Sequence, residues 1–493
     1  MTLEIGTEIG IVGAGAATVG LLDTLARANA APGGITVFDG SPAPWRGRAY
    51  QPDMPAARVN APPVIMSIRA GDPGHYSRWL HDRGEREIID LAAYQDPGLG
   101  QPLVPRAVYG EYLGHTARAA IDRLRQDGWR VSVVNSRVTG FSRDAAVLHT
   151  EHGGRHRVDR AVLCVGGGRP HDHYGLDGAP GFVLEPYPLA RTLAGIPASA
   201  HVAVIGSGLT AVDIVAGLVA GGHTGPISLL SRHGMLPWVQ QRPVELRPRH
   251  LTPSRIAALA PELSFARLVS LMRQELAELG QDFDSFASEV TETRHTAEWL
   301  RRQLDAVDSP HLGRRLLTLA IRTAGPAAWR SLPRDERTML LRRHFRTING
   351  LSSPMVPLNA HLLLRLFDSG QLRTRPGLVK IEPAEGKGFR VLDTSRWTAD
   401  LVINAVNPPA YATPQEAGPL VSSLLAEGAA EACGTGGLSN EPGSGRLTVA
   451  GRPDPVWHVL GNLAGDTLFI ATNPPGLAAE SERVARSLLA PIA

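Results

Sequence analysis

The chain has 493 residues, 43% of them hydrophobic and 20% charged, with a net charge of +3; this is the balance of a globular enzyme of about two to four domains and excludes a disordered chain or a strong polyanion binder. Lys occurs only at Lys380 and Lys387, and the many arginines form no dense block, so a nucleic-acid surface is not expected. Cys164 and Cys433 stand far apart with no CxxC spacing, which implies no disulfide scaffold, disfavours a dithiol reductase and fits a reducing cytoplasm.

The N-terminus passes almost directly into a strand, with no basic-then-apolar leader, and no stretch reaches the roughly 18 uninterrupted apolar residues of a membrane span. Residues 9–12 form an apolar run of buried-strand character. Gly13-Ala14-Gly15-Ala16-Ala17-Thr18 follows, then a helical pattern over 19–28 and a second apolar run, 35–38, closed by Asp39 and Gly40. Gly13 suits a tight turn. Gly15 has no Cβ to hold a pyrophosphate away from the helix N-terminus, and Asp39 is placed to accept hydrogen bonds from a ribose. The third glycine of the pattern is replaced by Thr18. This unit reads as an FAD site.

Residues 44–66 are a long loop rich in Gly, Pro, Trp and Asn, of the kind that is often functional. Trp45, Arg48 and Asn60 in it are candidate flavin-side residues. Residues 75–80 read as a helix, 131–136 and 145–150 as strands, and 161–165 as an apolar strand ending in Gly166, Gly167 and Gly168. Gly166 joins the cofactor candidates, whereas Cys164 reads as a small buried hydrophobe.

The strand–turn–helix grammar returns at 201–205, Gly206-Ser207-Gly208-Leu209-Thr210-Ala211 and 212–219, with a further strand at 227–230 and then Ser231-Arg232-His233. Gly13 to Asp39 and Gly206 to Arg232 are both 26 residues. An acid suits a free 2′-hydroxyl, and an arginine suits a 2′-phosphate. The second unit therefore reads as an NADPH site with Arg232 and His233 at the phosphate. Two such sites in one chain let a nicotinamide deliver hydride to a resident flavin.

Residues 250–345 carry helical spacing at 254–260, 265–279, 289–307 and 334–345, an insertion in or after the second unit. His295, His311 and His344 are too far apart for a metal motif. Strands at 400–406 and 456–461 and a final helix at 478–489 complete the first unit, with Asn462 and Asp466 as alternatives for one flavin contact that spacing does not choose between. The fold class is α/β: a two-dinucleotide-binding-domain flavoprotein with two Rossmann-like units and a helical insertion. The expected division is 1–195 for the first part of the FAD domain, 196–350 for the NADPH domain with its insertion at about 250–345, and 351–493 for the second part of the FAD domain.

Several segments together carry a resemblance: Gly47-Arg48-Ala49-Tyr50, Arg58-Val59-Asn60-Ala61-Pro62, residues 104–113 (VPRAVYGEYL), Gly206-Ser207-Gly208-Leu209-Thr210-Ala211-Val212-Asp213, residues 231–237 (SRHGMLP) and Gly461-Asn462-Leu463-Ala464-Gly465. They resemble bacterial FAD/NAD(P)-binding proteins related to flavin-dependent N-hydroxylating monooxygenases, the amino-acid N-hydroxylase and urate hydroxylase-like branch. The resemblance implies FAD, NADPH, O₂ and a small-molecule substrate, hydroxylated at an amine or amino-acid nitrogen through a flavin hydroperoxide. The alternative is an NADPH-dependent flavin reductase or dehydrogenase without oxygen insertion. Residues 181–188 (GFVLEPYP) lack the Phe-x-Gly-x-x-x-His motif of Baeyer–Villiger enzymes. No catalytic residue and no metal site emerges.

Overall fold

The computed structural model describes residues 6–293, 295–467, 469 and 473–491; the first five residues, where a leader would begin, lie outside them. The chain opens with β1 (Glu8–Val12), α1 (Ala16–Arg27) and β2 (Gly34–Phe38), then α2 (Arg106–Gln126), β3 (Arg130–Val134) and β4 (Arg160–Leu163). The second unit contains β5 (Phe182–Val183), β6 (Val202–Ile205), α3 (Leu209–Ala220) and β7 (Ile227–Ser231). The helical insertion follows, including α4 (Ala297–Asp305) and α5 (Gly313–Thr323). After it come α6 (Pro357–Asp368), β8 (Leu372–Pro376) and β9 (Leu401–Asn404). The chain then returns to the first unit with β10 (Arg446–Val449), β11 (Arg452–Val459) and α7 (Pro474–Leu488).

The first sheet has the order β10-β11-β4-β1-β2-β3, parallel except for the β10–β11 hairpin. The second has the order β5-β9-β6-β7-β8 and is parallel throughout. Helices cover the faces of such sheets, which is why β6, and β4 after Arg160, are apolar runs buried at every position and do not alternate. Helix α1 packs between α2 and α7. Gly20 permits the approach of α7, because a Cβ there would stand 2.8 Å from Ser481 Oγ.

Three expectations need correction. The return to the first unit does not begin at 351: β8 and β9 are strands of the second sheet, and α6 packs on α3, so the second unit extends past Asn404. Apolar strands look alike in sequence, and only pairing tells which sheet receives them. The helix read over 289–307 is two helices, Phe283–Thr291 and α4. The Thr296 side chain accepts from Trp299 N at 3.2 Å and starts a new helix there. The third is an omission: α2, 21 residues long, was not read as a helix, because Gly110 and Gly114 interrupt its pattern. Gly110 is required there, since a Cβ would meet the Tyr50 carbonyl oxygen at 2.0 Å.

Candidate functional site

The first glycine turn leaves β1 and enters α1. Gly13 has φ +98°, and a Cβ on it would lie 2.4 Å from the Cys164 carbonyl oxygen, so the turn packs directly on the end of β4. Gly15 is the residue capping α1, with no side-chain cap, and a Cβ on it would touch nothing within 4 Å. The free N–H groups of the α1 first turn, to which Ala16 and Ala17 belong, thus face open space. Thr18 serves where a glycine was expected: its hydroxyl donates to the Gly13 carbonyl at 2.5 Å and is wholly buried. Asp39 accepts from Ala14 N and from Ser41 N, both at 2.7 Å, which fixes its carboxylate beside the turn.

Gly13, Ala14, Gly15, Asp39 and Ser41 line a cavity of about 420 Å³ together with Gly40, Arg48 and Gly166. Gly166 (φ +67°) and Gly167 are open to it, since a Cβ on either would touch nothing within 4 Å. A cradle that side chains would fill, with a helix N-terminus on one side and a carboxylate at the ribose position, fits the pyrophosphate and ribose of FAD. Cys164 also lines this cavity, and burial pushes its thiol up to about 12. It is therefore protonated and unreactive at neutral pH. Native protein is expected to leave Cys164 unalkylated by iodoacetamide over hours at pH 8, with peptide mass spectrometry as the readout.

The second turn repeats the first. Gly206 has φ +111° and backs onto Ala405, while Gly208 caps α3 with open space where a Cβ would stand. Ser207 donates to the Met235 carbonyl at 2.5 Å, and Leu209 and Thr210 begin the helix. Arg232 and His233 stand exposed just past β7. Arg346, from the helix Phe345–Ser352, joins them: burial and then Arg232 lower its pKa, and burial followed by Arg346 and Arg232 lowers that of His233. No carboxylate pairs with Arg232 or Arg346 among the described residues. Three cationic or protonatable groups, with no carboxylate paired to either arginine among the described residues, could hold a phosphate.

A polar network ties the two units together. Arg106, at the start of α2, donates to Tyr187 OH at 2.9 Å and meets Asp213 of α3 at 2.7 Å, and Tyr187 OH donates to the same carboxylate at 2.6 Å. Burial works against the Arg106 charge, but Asp213 and Tyr187 outweigh it and hold its pKa above the usual value. Nearby, Arg48 forks onto Glu185 at 2.6 and 3.1 Å and donates to Asn407 at 3.1 Å; Asn407 in turn donates to Thr210 at 3.2 Å. Arg48 is thus both a wall of the first cavity and a strut to the second unit. Asp213→Ala would strand a buried guanidinium and is expected to cost about 3 kcal/mol of stability. Urea denaturation checks it, and a loss below about 1 kcal/mol would contradict the pairing.

A second cavity, about 390 Å³, shares no lining residue with the first. Its walls include Tyr50 and Asn60 of the 44–66 loop, Gln240, Arg322 of α5, Thr467 and Glu480 of α7. The loop separates the cavities, since Gly47, Arg48 and Gln51 face the first one. Trp45 is buried with φ +77° and donates its backbone N–H to Ala14 at 2.6 Å, so it supports the turn from behind. Asn462 donates to the Ala412 carbonyl, and Asp466 pairs with Asn440 and Arg337; neither lines either cavity. Sequence reasoning missed Arg346, Arg322 and Glu480, which lie in helical stretches with no local motif. Arg106 and Asp213 both fall in segments that carried the family resemblance, yet their pairing is visible only in three dimensions.

Residues 10–168 match the profile of a protein family described as FAD-NAD(P)-binding. The matched stretch runs from β1 to the glycines that follow β4. No curated protein matches the sequence. Among solved structures, the chain is similar to the L-lysine 6-monooxygenase of Pseudomonas syringae at 17% identity and a TM-score of 0.54, covering 98% of this chain and 99% of that one. It is similar to the ornithine hydroxylase of Pseudomonas aeruginosa at 15% identity and 0.54, covering 98% of each. A further match is the ornithine N-hydroxylase of Kutzneria sp. 744, held with reduced FAD, NADP⁺ and L-ornithine, at 13% identity and 0.55, again covering 98% of each. The chain as a whole therefore has the fold of a two-dinucleotide-binding flavoprotein. No helix among the described residues is long and apolar enough to cross a membrane.

Proposed function

We propose that the chain is an FAD-dependent, NADPH-using monooxygenase that hydroxylates the nitrogen of a small amine or amino acid. The observation that carries this reading is the pairing of two open glycine cradles of opposite end charge, Asp39 at one and Arg232 with Arg346 at the other, clamped by Arg106, Asp213 and Tyr187 beside a separate cavity. Gly13–Thr18 and Asp39 would hold FAD; Gly206–Thr210, Arg232, His233 and Arg346 would hold NADPH. Bound FAD supplies hydride acceptance from NADPH and the activation of O₂. The protein's own residues fix the two units relative to each other and shield a pocket from bulk water. An amine attacks only when unprotonated, and the arginines of the second cavity depress an ammonium pKa. Both cysteines are buried and unpaired, which suits oxygen as electron acceptor better than a dithiol and suits a cytoplasmic setting.

The test is a screen of amines and amino acids with purified protein, NADPH and air, following hydroxylated product by mass spectrometry. Product formed in proportion to NADPH consumed supports the reading. NADPH oxidation that yields only hydrogen peroxide with every compound contradicts it.

A further inference from the structure

The second cavity holds a charge imbalance that bears on what it accepts. Arg314, Arg315 and Arg322 line it, and Glu480 is the acid among its lining residues. Two of the three arginines are committed. Arg314 donates to Gln303 at 2.6 Å and to the Val239 carbonyl at 3.2 Å, with Glu289 at 2.9 Å. Arg315 donates to the carbonyls of Arg242, Ser309 and Val307 at 2.7, 2.6 and 2.9 Å. Arg322, in the last turn of α5, has no hydrogen-bond or ion-pair partner among the described residues.

The side chain of Arg322 is solvent-accessible, yet burial by the surrounding protein lowers its pKa with no acid offsetting it. Arg322 is exposed and lines the second cavity. Glu480 stands in the same position from α7: burial raises its pKa, and Arg483 and Arg330 oppose that.

On the reading of this cavity as the substrate site, we propose that Arg322 is the specificity-determining residue that grips a carboxylate of the substrate, and that the substrate is a carboxylate-bearing amine whose far end carries no second positive charge. A guanidinium matches a carboxylate with two parallel N–H donors, and such charge-assisted bonds are strong where water is scarce. The same surplus of positive charge repels a second ammonium, so a diamino acid such as lysine or ornithine, the compounds named in the similar structures, is disfavoured here.

The test is isothermal titration of the flavin-loaded full chain with L-aspartate, L-glutamate, L-ornithine and L-lysine, repeated for Arg322→Ala and Arg322→Lys. At least one acidic probe is expected to bind about tenfold or more tighter than either diamino acid, and Arg322→Ala to weaken it by about tenfold or more. Arg322→Lys should restore part of that loss. Flavin content and NADP⁺ binding are measured on each variant and should not change, since Arg322 touches neither glycine cradle. The inference is overturned if neither acidic probe binds, if a diamino acid binds as tightly, or if Arg322→Ala binds the acidic probe as well as the parent. A parent chain that takes up no flavin would instead sink the monooxygenase reading itself.

Discussion

Gly15→Val is expected to abolish FAD binding while leaving the protein folded. A Cβ at Gly15 meets no protein atom within 4 Å, so the chain itself tolerates the side chain. The added atoms occupy the space through which a pyrophosphate reaches the first turn of α1. Loss of even two charge-assisted N–H bonds at about 1.5 kcal/mol each weakens affinity by roughly a hundredfold. Gly13→Ala offers the contrast. It places a Cβ 2.4 Å from the Cys164 carbonyl at φ +98°, so it strains the fold itself. Flavin content after gel filtration, together with the melting temperature of the flavin-free chain, separates the two. A Gly15→Val protein that purifies fully loaded with FAD would show that the cradle lies elsewhere.

The second large effect is on coenzyme choice. Arg232→Ala combined with Arg346→Ala removes both guanidinium groups near the end of β7. KM for NADPH is expected to rise roughly a hundredfold, as charge-assisted contacts to a 2′-phosphate are lost, while KM for NADH hardly changes. Arg232→Glu should go further and favour NADH outright through repulsion of the phosphate. Because neither residue belongs to a glycine turn, the maximal rate with saturating coenzyme should stay within about twofold of the parent. Equal losses for both coenzymes would show that the two arginines shape the unit as a whole without reading the phosphate.

Legibility in the sequence follows how local each feature is. Both glycine turns are contiguous, and their chemistry depends on backbone conformation, so Gly13, Gly15, Gly206 and Gly208 stand where strand meets helix as read. Asp39 and Arg232 are likewise fixed by a constant strand-turn-helix-strand length, which spacing reports directly. Features built from distant segments were not legible. The assignment of β8 and β9 to the second sheet depends on which apolar strand each one meets, and the hydrophobic pattern is the same in either sheet. Arg346 reaches the end of β7 from a helix more than a hundred residues away in sequence, and Arg322 is distinguished from the other two arginines of the second cavity by lacking an acceptor among the described residues. Arg48 shows the intermediate case. It lines the cavity at the first glycine turn, and its partner Glu185, 137 residues on, gives it a second role as a strut between units.

The central claim is that one chain holds a flavin and a phosphorylated nicotinamide so that the second reduces the first. Anaerobic titration of the purified, flavin-loaded protein with NADPH, followed by visible absorbance, tests it most directly. The account predicts that NADPH bleaches the flavin band stoichiometrically, and that NADH does so only at much higher concentration. A chain that takes up no FAD, or whose bound flavin stays oxidised under excess NADPH, would contradict it.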